Sequence, residues 1–182
     1  FARPLEALFA PLALLDGLQE KQTLEWLNHK DPHVRRWVVR LLGDKRKVAD
    51  KIADALETLA KKEKDLETLI QLAASAKRLP AHHGLPILQA LAQRDESPAD
   101  SRLPLMIWWG VETHSETGRV LLRDWYQERE TWSQPVFSKT IAQRLMRRYA
   151  MAGGEKNLHS CADLLESAPD QTAAKLLLTG LQ

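Results

Sequence analysis

Apolar residues in this chain recur at the spacing of helix turns and almost never at every second position. Residues 47–62 set Val48, Ile52, Leu56 and Leu59 on one helix face, and residues 65–79 do the same with Leu66, Leu69, Ile70, Ala73 and Ala76. Residues 135–150 place Phe137, Ile141, Leu145 and Tyr149 together, and residues 155–168 use Leu158, Cys161, Leu165 and Ala168. Helix breakers fall between the stripes at Asp31-Pro32, Gly43-Asp44, Pro80, Ser97-Pro98, Gln134-Pro135, Gly153-Gly154 and Pro169-Asp170. No Asn-Gly or Asp-Gly hairpin turn occurs, and no alternating run is sustained, so the chain is predicted to be all-α.

Short helices joined by short polar turns predict stacked helical hairpins. Stepping by 35 from Trp37 meets Leu72, Ile107, Ala142 and Leu177, and the same step from Leu41 meets Ala76, Val111, Met146 and Leu181. Both ladders are apolar throughout and lie four residues apart, on one helix face. First helices are then predicted at 32–42, 65–79, 103–114, 135–151 and 170–182, and second helices at 47–62, 83–94, 117–130 and 155–168, with one more pair in 3–28. The units run 3–30, 31–64, 65–99, 100–134 and 135–169, with a partial unit at 170–182. This is the pattern of a single α-solenoid, in which each repeat buries its face only against its neighbours.

The sharpest local motif is DPHVRRWVVRLLGD at 31–44. Asp31 suits the N-cap, Pro32 the first helical position, and Gly43 a left-handed stop. Val34, Val38, Leu41 and Leu42 form the stripe between them. The motif resembles the short bacterial type of HEAT repeat, and that resemblance implies a structural role for Arg35, reaching an acceptor in an adjacent repeat. A phosphate contact is the competing reading of Arg35 and Arg36.

Several segments together resemble something narrower. RRWVVRLLGD (35–44), LAASAKRLP (72–80), LPILQAL (85–91), PLMIWWGVE (104–112) and NLHSCADLLESAPD (157–170) followed by LLLTGLQ look like the helical-repeat region of the haem-binding, membrane-bound dehydrogenase-like proteins of planctomycetes and their relatives. The resemblance covers about residues 12–182. In that family the region lies between a propeller resembling sugar dehydrogenases and a cytochrome c module carrying CxxCH. The resemblance implies a non-catalytic spacer or docking scaffold with no cofactor of its own. Its partners would be neighbouring domains of the parent chain or another protein, in an extracytoplasmic or membrane-associated setting. Phe1 stands where a starting Met would, and Gln182 falls inside an apolar pattern, so the chain reads as a piece of a larger protein.

Composition adds boundaries. Of 182 residues, 27% are charged and 44% hydrophobic, with a net charge of +2, which gives no bulk affinity for polyanions. Cys161 is the lone cysteine, so neither an internal disulfide nor CxxCH can form within these residues. No run approaches the ~18 apolar residues of a membrane span. His29 and His33 are split by Asp31-Pro32, His82-His83 are adjacent, and His114 and His159 stand alone, so no metal is expected. Gly153-Gly154 reads as a helix-ending turn rather than a phosphate cradle.

Two features could still carry chemistry. Arg36 and Arg40 in the first basic stretch, and Arg144, Arg147 and Arg148 in the second, could track a phosphate backbone if aligned. The alkylpurine DNA glycosylases built of helical repeats combine such a surface with Trp and a carboxylate. That sets an alternative, a DNA-acting enzyme with Trp108 or Trp109 and Glu112 at the lesion, beside a third reading as a free-standing protein-interaction adaptor. The low net charge and the nearby acids Asp50, Asp54, Glu57, Glu128 and Glu130 disfavour nucleic acid. Six of the eleven aromatic residues are Trp, and Trp108 and Trp109 flank Glu112 on a helix with little polar face. Such a helix is usually buried on more than one side, so the three are expected to form a buried structural cluster that could extend to a docking surface.

Overall fold

The computed structural model describes residues 19–94 and 102–181. Ten α-helices occupy them: α1 (Glu20–Leu27), α2 (Pro32–Asp44), α3 (Asp50–Lys62), α4 (Leu66–Ala76), α5 (Ala81–Ala92), α6 (Arg102–His114), α7 (Arg119–Gln127), α8 (Ala142–Ala152), α9 (Glu155–Glu166) and α10 (Gln171–Thr179). Among the described residues no strand forms, and the fold class is all-α. Of the N-terminal pair expected in 3–28, only the part from residue 19 falls within the described residues, and the break at Ser97-Pro98 lies outside them.

Helices pack on the helix two places along the chain. α1 lies on α3, α3 on α5, α5 on α7 and α7 on α9; α2 lies on α4, α4 on α6, and α8 on α10. α6 meets the turn that leads into α8, and consecutive helices such as α4–α5 and α5–α6 also touch. The core is therefore continuous along the array. Leu72, Ile107, Ala142 and Leu177 of the first apolar ladder are buried, as are Leu41, Ala76, Val111 and Met146 of the second. Trp37 is only half-buried and Leu181 is exposed.

Side-chain hydrogen bonds between helices carry the same spacing. Thr68 Oγ1 donates to Pro32 O (3.3 Å), Ser75 Oγ to Val39 O (2.8 Å) and Tyr149 Oη to Ser115 O (3.1 Å), across 36, 36 and 34 residues. His114 Nε2 donates to Ala76 O at 3.0 Å across 38 residues, which fixes the proton on that nitrogen because the carbonyl can only accept. Each bond is accepted by a backbone carbonyl of a neighbouring helix or, for Ser115, of the turn that follows one.

The left-handed stop predicted at Gly43 is not there. α2 runs through Gly43 to Asp44, and the residue with positive φ is Arg46, at 55°. Gly43 instead allows close approach, since a Cβ there would meet Ser75 Oγ at 2.6 Å. Gly153 and Gly154 do take the left-handed region (φ 62° and 77°) between α8 and α9.

Two other expectations change. The face predicted for 155–168 is turned in part: Cys161 and Ala168 pack against the core, but Leu158 and Leu165 are exposed, while Ser160 and Leu164 are buried. The cause is Arg119, whose guanidinium reaches Ser160 Oγ, Asn157 Oδ1 (2.8 Å) and Lys156 O (3.2 Å), drawing the polar side of α9 inward. The helices expected at 117–130 and 135–151 are also interrupted, by a 3-10 turn at Arg129–Ser133 and a π turn at Phe137–Ile141. Thr131 Oγ1 and Trp132 Nε1 donate to Trp125 O and Tyr126 O (2.8 Å each), satisfying carbonyls at the end of α7. Phe137 packs on Trp125 and Trp132 with ring centroids 5.4 and 5.2 Å apart.

Candidate functional site

The paired tryptophans part company. Trp108 is 7% exposed, and Ile107 and Val111 beside it are fully buried. Trp109 is 46% exposed and Leu105, one turn earlier, is 37% exposed. The expectation of a buried cluster of Trp108, Trp109 and Glu112 is corrected: Trp108 is buried, Glu112 is half-buried and Trp109 is exposed. α6 rests on α4, α5 and the π turn, and among the described residues no helix covers Leu105 and Trp109. An apolar sequence cannot say which side of its helix goes uncovered.

The neighbouring helix supplies a cleft. α8 turns Ala142, Leu145, Met146 and Tyr149 inward, which leaves Arg144, Arg147, Arg148 and Met151 on its outer side. With Trp108 and Glu112 of α6 they line an open cavity of about 450 Å³. Arg144 donates to Thr140 O (3.0 Å), and Arg148 pairs with Glu116 (3.0 Å) at the rim. Arg147 is exposed and makes no hydrogen bond or ion pair among the described residues. Met151 is 81% exposed. Glu112, three arginines, Trp108 and Met151 therefore line the same space. Such a surface can hold an anionic group beside an apolar one.

The other basic pair stands elsewhere. Arg36 and Arg40 line a smaller groove of about 240 Å³ with Trp37, Glu67, Ile70 and Gln71. The Arg40 guanidinium lies 5.1 Å from the Trp37 ring centroid, and Arg36 contacts His33 Nδ1 at 3.3 Å. This groove shares no lining residue with the cleft of Arg144, Arg147 and Arg148.

The motif residues at 31–35 are occupied within the fold. Asp31 Oδ1 accepts from His33 N (2.9 Å), and Pro32 opens α2. Arg35 donates to both Glu63 carboxylate oxygens (2.6 Å each) and to His29 O (2.7 Å) and Lys30 O (3.1 Å). Glu63 also accepts from Lys64 N (2.8 Å) and Asp65 N (2.9 Å). Burial pushes the Glu63 carboxyl up, but Arg35 and the two amides outweigh it and hold the group below its ordinary range. Arg94 caps the same end of α3 by donating to Ala60 O, Lys61 O and Glu63 O (2.8, 2.9 and 2.6 Å).

Sequence reasoning missed Glu63, Arg94 and Arg119. Glu63 sits in the charge run KKEKD, which reads as a solvated stretch. Its one available signal is position, immediately after the predicted end of a helix whose last carbonyls need donors.

Among the described residues no three His, Cys, Asp or Glu side chains gather as a metal site, and no helix is long and apolar enough to cross a membrane. His83 Nε2 contacts Asp50 at 2.9 Å. Cys161 is half-buried, and burial raises its thiol above the ordinary value. Comparison with family models, curated proteins and solved structures finds no match for this chain.

Proposed function

We propose that the chain is a non-catalytic helical-repeat scaffold, a HEAT-like α-solenoid of units about 35 residues long, that holds or docks neighbouring domains. The observation that supports this most is how its buried polar groups are used. Arg35, Glu63, Ser75, Arg94, His114 and Tyr149 all bond to another helix or to a helix end, which stiffens the array and leaves them unavailable for chemistry. Exposed Leu105 and Trp109 leave apolar surface for a partner. The resemblance of RRWVVRLLGD and PLMIWWGVE supplies the setting, a larger haem-containing, dehydrogenase-like protein working outside the cytoplasm or at a membrane. In this reading the haem and the oxidoreductase centre belong to other modules.

Reading the gene on both sides tests the proposal. A propeller-like region upstream and a CxxCH module downstream in the same frame are the expected result. A frame carrying neither removes the haem-protein setting and leaves the free-standing adaptor.

A second reading has one observation in its favour. Trp108, Glu112, Arg144, Arg147 and Arg148 share a cleft, which a DNA-acting enzyme resembling the alkylpurine glycosylases would need. Titration of duplex DNA across salt tests it. Affinity falling steeply as salt rises would favour this reading over the scaffold; no binding at low salt eliminates it.

A further inference from the structure

We infer that the cleft between α6 and α8 is the docking site for an acidic peptide segment with an apolar anchor residue, contributed by a partner protein. The inference rests on the scaffold reading and specifies its partner's chemistry. Charge complementarity carries it. Arg144, Arg147 and Arg148 face one cavity, Arg147 has no partner among the described residues, and the other two each show one tie that leaves further N–H donors for a ligand. A carboxylate is the planar acceptor that a guanidinium binds in parallel pairs.

The remaining lining selects a peptide over a nucleic acid. Glu112 lies inside the cleft and Glu116 at its rim, where both would repel a run of phosphates. Glu112 can instead accept a backbone N–H, a donor that a sugar-phosphate backbone lacks. Trp108 is too buried to present a stacking face to a base. It and the exposed, adaptable Met151 line the same cavity, and that pair suits a Leu, Met or Phe side chain. Leu105 and Trp109, on the same helix as Trp108, are also exposed.

Selection from a displayed library of random linear peptides, followed by anisotropy titration of a selected peptide, tests this. The expected result is enrichment of Asp and Glu around an apolar residue. Changing those acids to Asn and Gln should weaken binding by about tenfold or more. Arg147→Glu and, separately, Met151→Asp should each abolish binding, while Arg36→Glu, in the other groove, leaves it unchanged. Both cleft variants alter exposed side chains and are expected to fold, which circular dichroism checks. No acidic enrichment, equal binding of the amide peptide, or binding indifferent to Arg147→Glu overturns the inference while leaving the scaffold reading standing. A single-stranded oligonucleotide that binds more tightly than the peptide, and is lost in Arg147→Glu, overturns both.

Discussion

The Arg35 guanidinium and the Glu63 carboxylate meet in two parallel hydrogen bonds of 2.6 Å, joining the first turn of α2 to the residue that ends α3. Their side chains are 15% and 1% exposed. Removing one partner strands the other away from water. Glu63→Gln or Arg35→Ala is expected to cost about 3–5 kcal/mol in urea unfolding. The paired replacement Arg35→Met with Glu63→Leu should recover much of that loss, because neither charge is then left alone. If the double variant is no better than the worse single one, the ends capped by Arg35 matter more than the pair.

Acid should destabilise the fold in two stages. Burial lowers the His114 pKa below its ordinary 6.5, with the bond to Ala76 O opposing that shift. The folded state then binds fewer protons than the unfolded one, so stability rises with pH. The contribution is complete above pH 6.5 and is lost as pH falls from there. Glu63, also lowered, adds a second loss below its ordinary value of 4.5. Melting temperature followed against pH should show both. His114→Gln keeps an N–H for Ala76 O and should flatten the first stage only.

The two tryptophans should separate in a stability measurement. Trp108→Ala is expected to cost about 3–5 kcal/mol, as for a large buried aromatic. Trp109→Ala should cost about 1 kcal/mol or less, since nearly half the residue is already in water. Equal losses from the two would contradict the exposed face of α6.

Gly84 lies inside α5, where alanine would ordinarily add about 1 kcal/mol of helix propensity. Here a Cβ would collide with Ala76 O and approach His114 Nε2 to 2.7 Å, against the bond that joins them. Gly84→Ala is therefore expected to destabilise, and to raise the His114 pKa as the imidazole is displaced toward water. Nuclear magnetic resonance titration of the imidazole reads the second effect. A stabilised Gly84→Ala would mean that the helix ends shift apart at little cost.

The helices, their order and most of the core were legible because helix periodicity is a local property. Leu72, Ile107, Ala142 and Leu177 sit at one spacing and all are buried. Polar side chains defeated the same logic. Ser160 is buried where it meets Arg119, 41 residues away, and the face assigned to α9 keeps Cys161 and Ala168 but loses Leu158 and Leu165. The π turn at Phe137–Ile141 answers to ring packing on Trp125 and Trp132, which no propensity records. The cleft was half visible. Trp108, Glu112 and the Arg144 to Arg148 group could be named from residue type, but their meeting depends on the outer side of α8 facing the end of α6. The separate fates of Trp108 and Trp109 depend on which side of α6 is left without a neighbour.

The inter-helix bonds described above reach no farther than the 41 residues from Arg119 to Ser160. Among the described residues no such clasp ties α1 to α10. Pulled by its two termini, the protein should behave as links in series, each bearing the whole load. It would yield one helix pair after another, from whichever end is less held, and each yielding pair would release roughly 100 Å of chain.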